Sequence, residues 1–103
     1  MFLVVFRNRK RADIDAVAYG TDADAMLALA QAQPGFVSFK SYTSEDGEVI
    51  ALSEWADAET ARAWGSHPVH ALIQAKGRAE YYQEYTLYTA ESPRTHRYER
   101  PSE

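Results

Sequence analysis

The chain has no cysteine. That removes disulfides, thiolate metal sites and cysteine nucleophiles, and it fits a reducing compartment. Basic charge is not in excess either: 11 Lys and Arg stand against 15 Asp and Glu, for a net charge of −4. A general nucleic-acid binder needs a basic face to displace counterions, so nucleic acid is not an expected partner. No segment is long enough and apolar enough to span a bilayer. The N-terminal Met1-Phe2-Leu3-Val4-Val5-Phe6 is too short for a signal h-region, and its basic residues Arg7, Arg9, Lys10 and Arg11 follow the apolar run instead of preceding it. The expectation is a soluble cytoplasmic protein with no membrane partner.

What is present is the material of one small domain: 103 residues, 46% hydrophobic and 25% charged. Residues 2–7 read as a strand whose apolar residues, Phe2 to Phe6, are consecutive, as in a central strand covered on both faces. Four basic groups within residues 7–11 then read as a solvated exit from the sheet. Residues 12–33 are rich in alanine and read as helix. Gly20-Thr21-Asp22 interrupts the pattern, so either the helix starts near Thr21 or Asp22, or one long helix carries a glycine at a cost of about 1 kcal/mol. Asp13, Asp15, Asp22 and Asp24 lack the spacing of a calcium loop and read as first-turn and surface acids. Gln33-Pro34-Gly35 stops the helix.

Residues 36–43 form the second expected strand, with Phe36, Ser38, Lys40 and Tyr42 on one face and Val37, Phe39 and Ser41 on the other. Asp46-Gly47 marks a hairpin, and residues 48–55 return antiparallel. Asp57 is a natural N-cap for a short helix over 58–64, ended by Gly65. Pro68 permits a new start, and His67 caps it. The helix over 68–79 is expected to bury Val69, Leu72, Ile73 and Lys76, with His70, Gln74 and Gly77 on an adjacent stripe. The last strand is read over 81–90, with Tyr82, Glu84, Thr86 and Tyr88 on one face and Tyr81, Gln83, Tyr85 and Leu87 on the other. Residues 91–103 form a polar tail without periodicity.

The order β-α-β-β-α-β gives a ferredoxin-like α+β fold: a four-stranded antiparallel sheet with the helices on one face. The opposite face is left carrying large side chains, Tyr, Trp and Phe among them. A chain this short has nothing to cover it, so a homodimer with its sheets face to face is expected, with the 91–103 tail docked on the partner subunit.

Both tryptophans, Trp55 and Trp64, and two of the three histidines, His67 and His70, gather at one helix break, an arrangement suited to a pocket wall. Each also has a plainer role. Trp64 can be a packing residue at a helix end, Trp55 core or dimer interface, His70 a capping or surface histidine, and Asn8 a partner for backbone groups at the end of a strand. His67 and His70 lack a third ligand nearby, so no metal is expected.

Taken together, Gln33-Pro34-Gly35-Phe36, Ser53-Glu54-Trp55, Ala63-Trp64, His67-Pro68-Val69-His70 and Gly77-Arg78-Ala79-Glu80-Tyr81-Tyr82 make the chain resemble the antibiotic biosynthesis monooxygenase (ABM) domain family over about residues 1–89. The resemblance implies a dimeric α+β barrel, a pocket between sheet and helices in each subunit, and a cofactor-independent monooxygenase acting on an aromatic phenol, anthrone or quinol. In that chemistry His70 is the candidate base, Asn8 and Trp64 donate to a substrate oxygen, and Tyr19, Tyr82 and Tyr85 line the cavity. The alternative is a non-catalytic domain that binds a small ligand. Haem-degrading relatives share Asn8 and Trp64 in place, but their iron-ligand position falls near Gln74, which is not an imidazole. That departure sets haem degradation below the other two readings, and no cofactor is expected.

Overall fold

Strand β1 (Phe2–Lys10) runs through the middle of the sheet. In the computed structural model, which describes residues 1–102, it pairs antiparallel with β3 (Val49–Trp55) on one side and with β4 (Tyr82–Glu91) on the other. The hairpin partner of β3 is β2 (Phe36–Thr43), giving the order β2-β3-β1-β4. Helices α1 (Ala16–Gln31), α2 (Ala58–Gly65) and α3 (Pro68–Lys76) complete the ferredoxin-like α+β fold. None of the described helices is long and apolar enough to cross a membrane.

Several boundaries differ from the sequence reading, each for a physical reason. β1 continues to Lys10 instead of leaving the sheet after Arg7. Its basic residues are paired across strands: Arg7 makes a two-pronged contact to Glu48 at 3.1 and 3.2 Å, and Arg9 reaches Asp46 at 2.8 Å. Those partners let the strand run on while the even-numbered residues Asn8 and Lys10 point to the helix side. Helix α1 is continuous through Gly20, and its start is set by the Asp15 carboxylate, which accepts from the Ala18 N–H at 3.0 Å. Its inward face is Tyr19, Asp22, Ala23, Met26, Leu27 and Ala30, at helical spacing. The Asp57 carboxylate caps α2 through the Thr60 N–H at 2.8 Å, and His67 Nδ1 accepts from the Val69 N–H at 3.2 Å at the head of α3.

Two bulges reset the strand faces. In β2, Phe36 pairs with Trp55 and Ser38 with Glu54, so Val37 is the extra residue. Phe36 therefore joins Phe39 and Ser41 on the helix side instead of sharing a face with Lys40 and Tyr42. In β4, Arg9 pairs with Glu84 and Lys10 with Tyr82, so Gln83 is extra. Tyr82 therefore faces the same side as Tyr85 and Leu87, not the side of Thr86 and Tyr88. Helix α3 also ends earlier than expected, giving way after Lys76 to one π-helical turn, Gly77–Tyr81.

The outer sheet face corrects a further expectation. Trp55, Phe6, Phe36 and Phe39 all lie on the helix side, lining one hollow. Following the register, the outer face carries Leu3, Val5, Ile50, Leu52, Tyr42 and Tyr88 together with the charged Arg7, Lys40 and Glu54: aliphatic, tyrosine and charged groups, without Trp or Phe.

Candidate functional site

Helices and sheet do not close on one another. Between them lies a cavity of about 490 Å³. Its floor is the inward alternation of the strands: Val4, Phe6 and Asn8 from β1, Ala51, Ser53 and Trp55 from β3, Tyr85 and Leu87 from β4. Its roof is the inner face of α1 together with Trp64, His70, Ile73 and Gln74. Phe39 and Leu87 face inward yet are 40% and 54% exposed, because the helices do not reach across to them. The volume is that of a site for a small organic molecule, and the wall is mainly apolar and aromatic.

One end is built by stacked rings. Trp55, 1% exposed, packs edge-on to Phe36 at 5.6 Å and lies against Trp64 at 6.2 Å and 23°. Trp64 in turn carries the His70 ring flat against it, with centroids 4.1 Å apart and planes 13° apart. The imidazole is fixed in rotation as well, since its Nδ1 lies 2.9 Å from the Trp64 carbonyl oxygen. A carbonyl only accepts, so Nδ1 carries the proton and Nε2 of the neutral ring keeps its lone pair. Burial pushes the His70 pKa below the ordinary histidine value, outweighing the opposite effect of the Trp64 carbonyl, and favours that neutral form.

This stack turns α3. With His70 inward, the stripe turned to the sheet becomes His70, Ile73 and Gly77, with the exposed Gln74 at the cavity's edge, one position round from the expected Val69, Leu72, Ile73 and Lys76. Leu72 is 71% exposed. Lys76 instead pairs with Asp22 at 2.9 Å, and the same carboxylate accepts from the Tyr81 hydroxyl. These partners hold the Asp22 carboxyl below the usual carboxylate range, the Tyr81 bond first among the causes.

At the other end stands Asn8, 3% exposed in the middle of the sheet. Tyr19, Tyr82 and Tyr85 gather around it. Tyr19 and Tyr82 meet edge-on at 6.3 Å, and Phe6 touches Tyr82 and Tyr85 at 5.3 and 5.2 Å. Burial is the main cause that raises the Tyr82 pKa, so its hydroxyl stays protonated. All six residues singled out from sequence, His70, Asn8, Trp64, Tyr19, Tyr82 and Tyr85, thus line a single cavity. His67 caps its helix, with its ring 5.8 Å from Trp64.

Sequence reasoning missed Lys10. Its ammonium donates to Asn8 Oδ1 and sits 4.8 Å from the Tyr19 ring centroid and 5.4 Å from that of Tyr82. Burial lowers its pKa. The available signal was the parity of β1: a strand that continues past Arg7 puts residue 10 on the same side as residue 8.

Residues 1–76 match the family model described as antibiotic biosynthesis monooxygenase. The chain is 34% identical over 76 residues to the uncharacterized protein YqjZ of Bacillus subtilis (strain 168), covering 74% of this chain and 67% of that protein. Among solved structures, Rv0793 from Mycobacterium tuberculosis superposes with a TM-score of 0.77 at 19% identity, over 91% of this chain and 96% of its own. A variant of SnoaB, a cofactor-independent oxygenase from Streptomyces nogalater, superposes with a TM-score of 0.75 at 18% identity, over 91% and 94%. At such identities the two structures speak for the fold alone.

Proposed function

We propose, from the premise that this chain belongs to the antibiotic biosynthesis monooxygenase family, that it oxygenates an aromatic phenol, anthrone or quinol without a cofactor. The observation that carries this reading is His70: a neutral imidazole, held flat on Trp64 with Nδ1 engaged, its ring forming part of the cavity wall. Such a ring is poised to take a proton from a bound phenol or anthrone. The electron-rich anion left behind passes an electron to dioxygen, and recombination forms the new C–O bond. For an anthrone the balance closes with no other reductant. The ring CH2 becomes C=O and gives up four electrons, one oxygen atom of O2 enters the carbonyl, and the other leaves as water. Asn8 and Trp64 are the donors to the developing oxyanion, and Tyr19, Tyr82 and Tyr85 form a wall that limits water.

The same reading includes a homodimer formed across the outer sheet face, with the polar tail, expected over 91–103, lying on the partner subunit. Glu103 of that tail falls outside the described residues.

Oxygen uptake with a panel of anthrones, naphthols and quinols tests the activity. Uptake on at least one compound is expected, and His70→Ala should lower kcat/KM by about 10²–10⁴ for loss of a general base. Tight binding of a panel member with no uptake from any would instead favour a non-catalytic ligand-binding domain. A haemin titration that leaves the Soret band unshifted removes the haem reading.

A further inference from the structure

Lys10 is placed where a lysine is least comfortable. Its ammonium is half-buried behind the Asn8–Tyr19–Tyr82 wall, and among the described residues it pairs with no carboxylate. Asp22, the acid on the inward face of the facing helix, is already taken by Lys76 and Tyr81. The tyrosine faces at about 5 Å offset part of the desolvation through their π clouds, but they do not neutralise the charge. A cation left uncompensated in a partly dry site favours an anion as its neighbour.

The ammonium also settles the orientation of Asn8. It can only donate, so the amide oxygen must face it and the NH2 must point away. Among the described residues the NH2 has no hydrogen-bond partner. No fully buried side-chain nitrogen or oxygen is left unpaired among the described residues, so the NH2 opens on the cavity that Asn8 lines.

We propose that Lys10 is the positioning residue of this site: it locks Asn8 as a donor toward the cavity, and its uncompensated charge selects an oxyanion, a phenolate or enolate, as the group that Asn8 receives. This rests on the oxygenase reading for its substrate class, but it concerns binding and is tested without oxygen. His70 then has a partner across the cavity. It removes the proton, and the Lys10–Asn8 pair holds the charge the proton leaves behind.

The probe is 4-nitro-1-naphthol, whose phenol and phenolate forms absorb at different wavelengths, titrated anaerobically against the intact protein. In the wild type the bound probe should ionise about 1–3 pH units below its value in free solution, the range for an opposite charge close by. Tyr19, Tyr81, Tyr82, Tyr85, Asp22, His70 and the cationic Arg78 also line the cavity, so the change from wild type to Lys10→Met, which leaves Arg78 in place, is what assigns the shift to Lys10. The titration is also repeated with His70→Gln, so that a proton parked on the imidazole is not mistaken for one lost to solvent. The shift should survive that change. It should vanish in Lys10→Met and return at least in part in Lys10→Arg. The wild-type titration decides even if Lys10→Met fails to fold: a bound probe with an unlowered pKa, or no binding at all, overturns the assignment, as does a shift that Lys10→Met retains. A lowered pKa without oxygen uptake from any phenol would leave Lys10 in its role and remove the oxygenase reading alone.

Discussion

His70 shows how much of this site depends on one ring. Its Nδ1 spends its proton on the Trp64 carbonyl, its face is covered by the Trp64 indole, and burial makes its charged form costly. The consequence for stability has a definite sign. The folded pKa lies below the ordinary value of about 6.5, so on acidification the unfolded chain takes up the proton first. Between that value and the lower folded one, the unfolded state binds more protons, and stability falls as pH falls. Thermal melts at pH 7.5 and 5.5 should therefore differ by less in His70→Phe than in the wild type. An equal pH dependence in the two proteins would show that His70 titrates as an exposed histidine. Asn8 and Lys10 carry the complementary lesson. Asn8 was legible as a candidate only through the family resemblance, since its place near the end of β1 by itself reads as a partner for backbone groups, and Lys10 was hidden in a basic run that reads as a solvated turn. Only the cross-strand partners of Arg7 and Arg9 reveal that the strand goes on.

At the scale of elements, the types and order of the strands and helices were legible because the apolar periodicity, the Pro34-Gly35 stop, the Asp46-Gly47 hairpin and the Asp57 cap are local signals. The side-chain faces were less so. Single-residue bulges at Val37 and Gln83 invert the alternation, and nothing local announces them. The rotation of α3 escaped for a related reason, since the tertiary stack of His70 on Trp64 overrides the more apolar stripe. The π-helical turn Gly77–Tyr81 is the device that delivers both Tyr81 and Tyr82 to the helix side. It depends on Gly77, where an added Cβ would stand 2.6 Å from Cε2 of the Tyr82 ring. Gly77→Ala should therefore cost about 1–3 kcal/mol, as overpacking does, and push Tyr82 into the cavity. A melting temperature unchanged from the wild type would contradict that packing. Gly35 does similar work where β2 meets α2. It sits at φ +82° with the Thr60 side chain where a Cβ would be, so Gly35→Ala meets both backbone strain and a clash.

For the whole molecule, the helices are spent on one sheet face and do not even fill the space above it, which is why a hollow remains. The other face has no helix of its own and presents Leu3, Val5, Ile50, Leu52, Tyr42 and Tyr88. Sedimentation at micromolar concentration should show a homodimer, and Leu52→Arg should shift it toward monomer by burying an unpaired charge in the joint. A wild-type chain that stays monomeric would sink the proposed pairing and the tail's docking with it, while leaving the cavity intact. That cavity, with the proposed base at one end and the proposed donor at the other, is the centre of the account. Its most direct measurement is the ¹⁵N spectrum of the His70 imidazole at pH 7. The account predicts a neutral ring protonated at Nδ1, whose Nε2 resonance moves when a naphthol is added. A ring found charged, protonated at Nε2, or indifferent to the naphthol would contradict it.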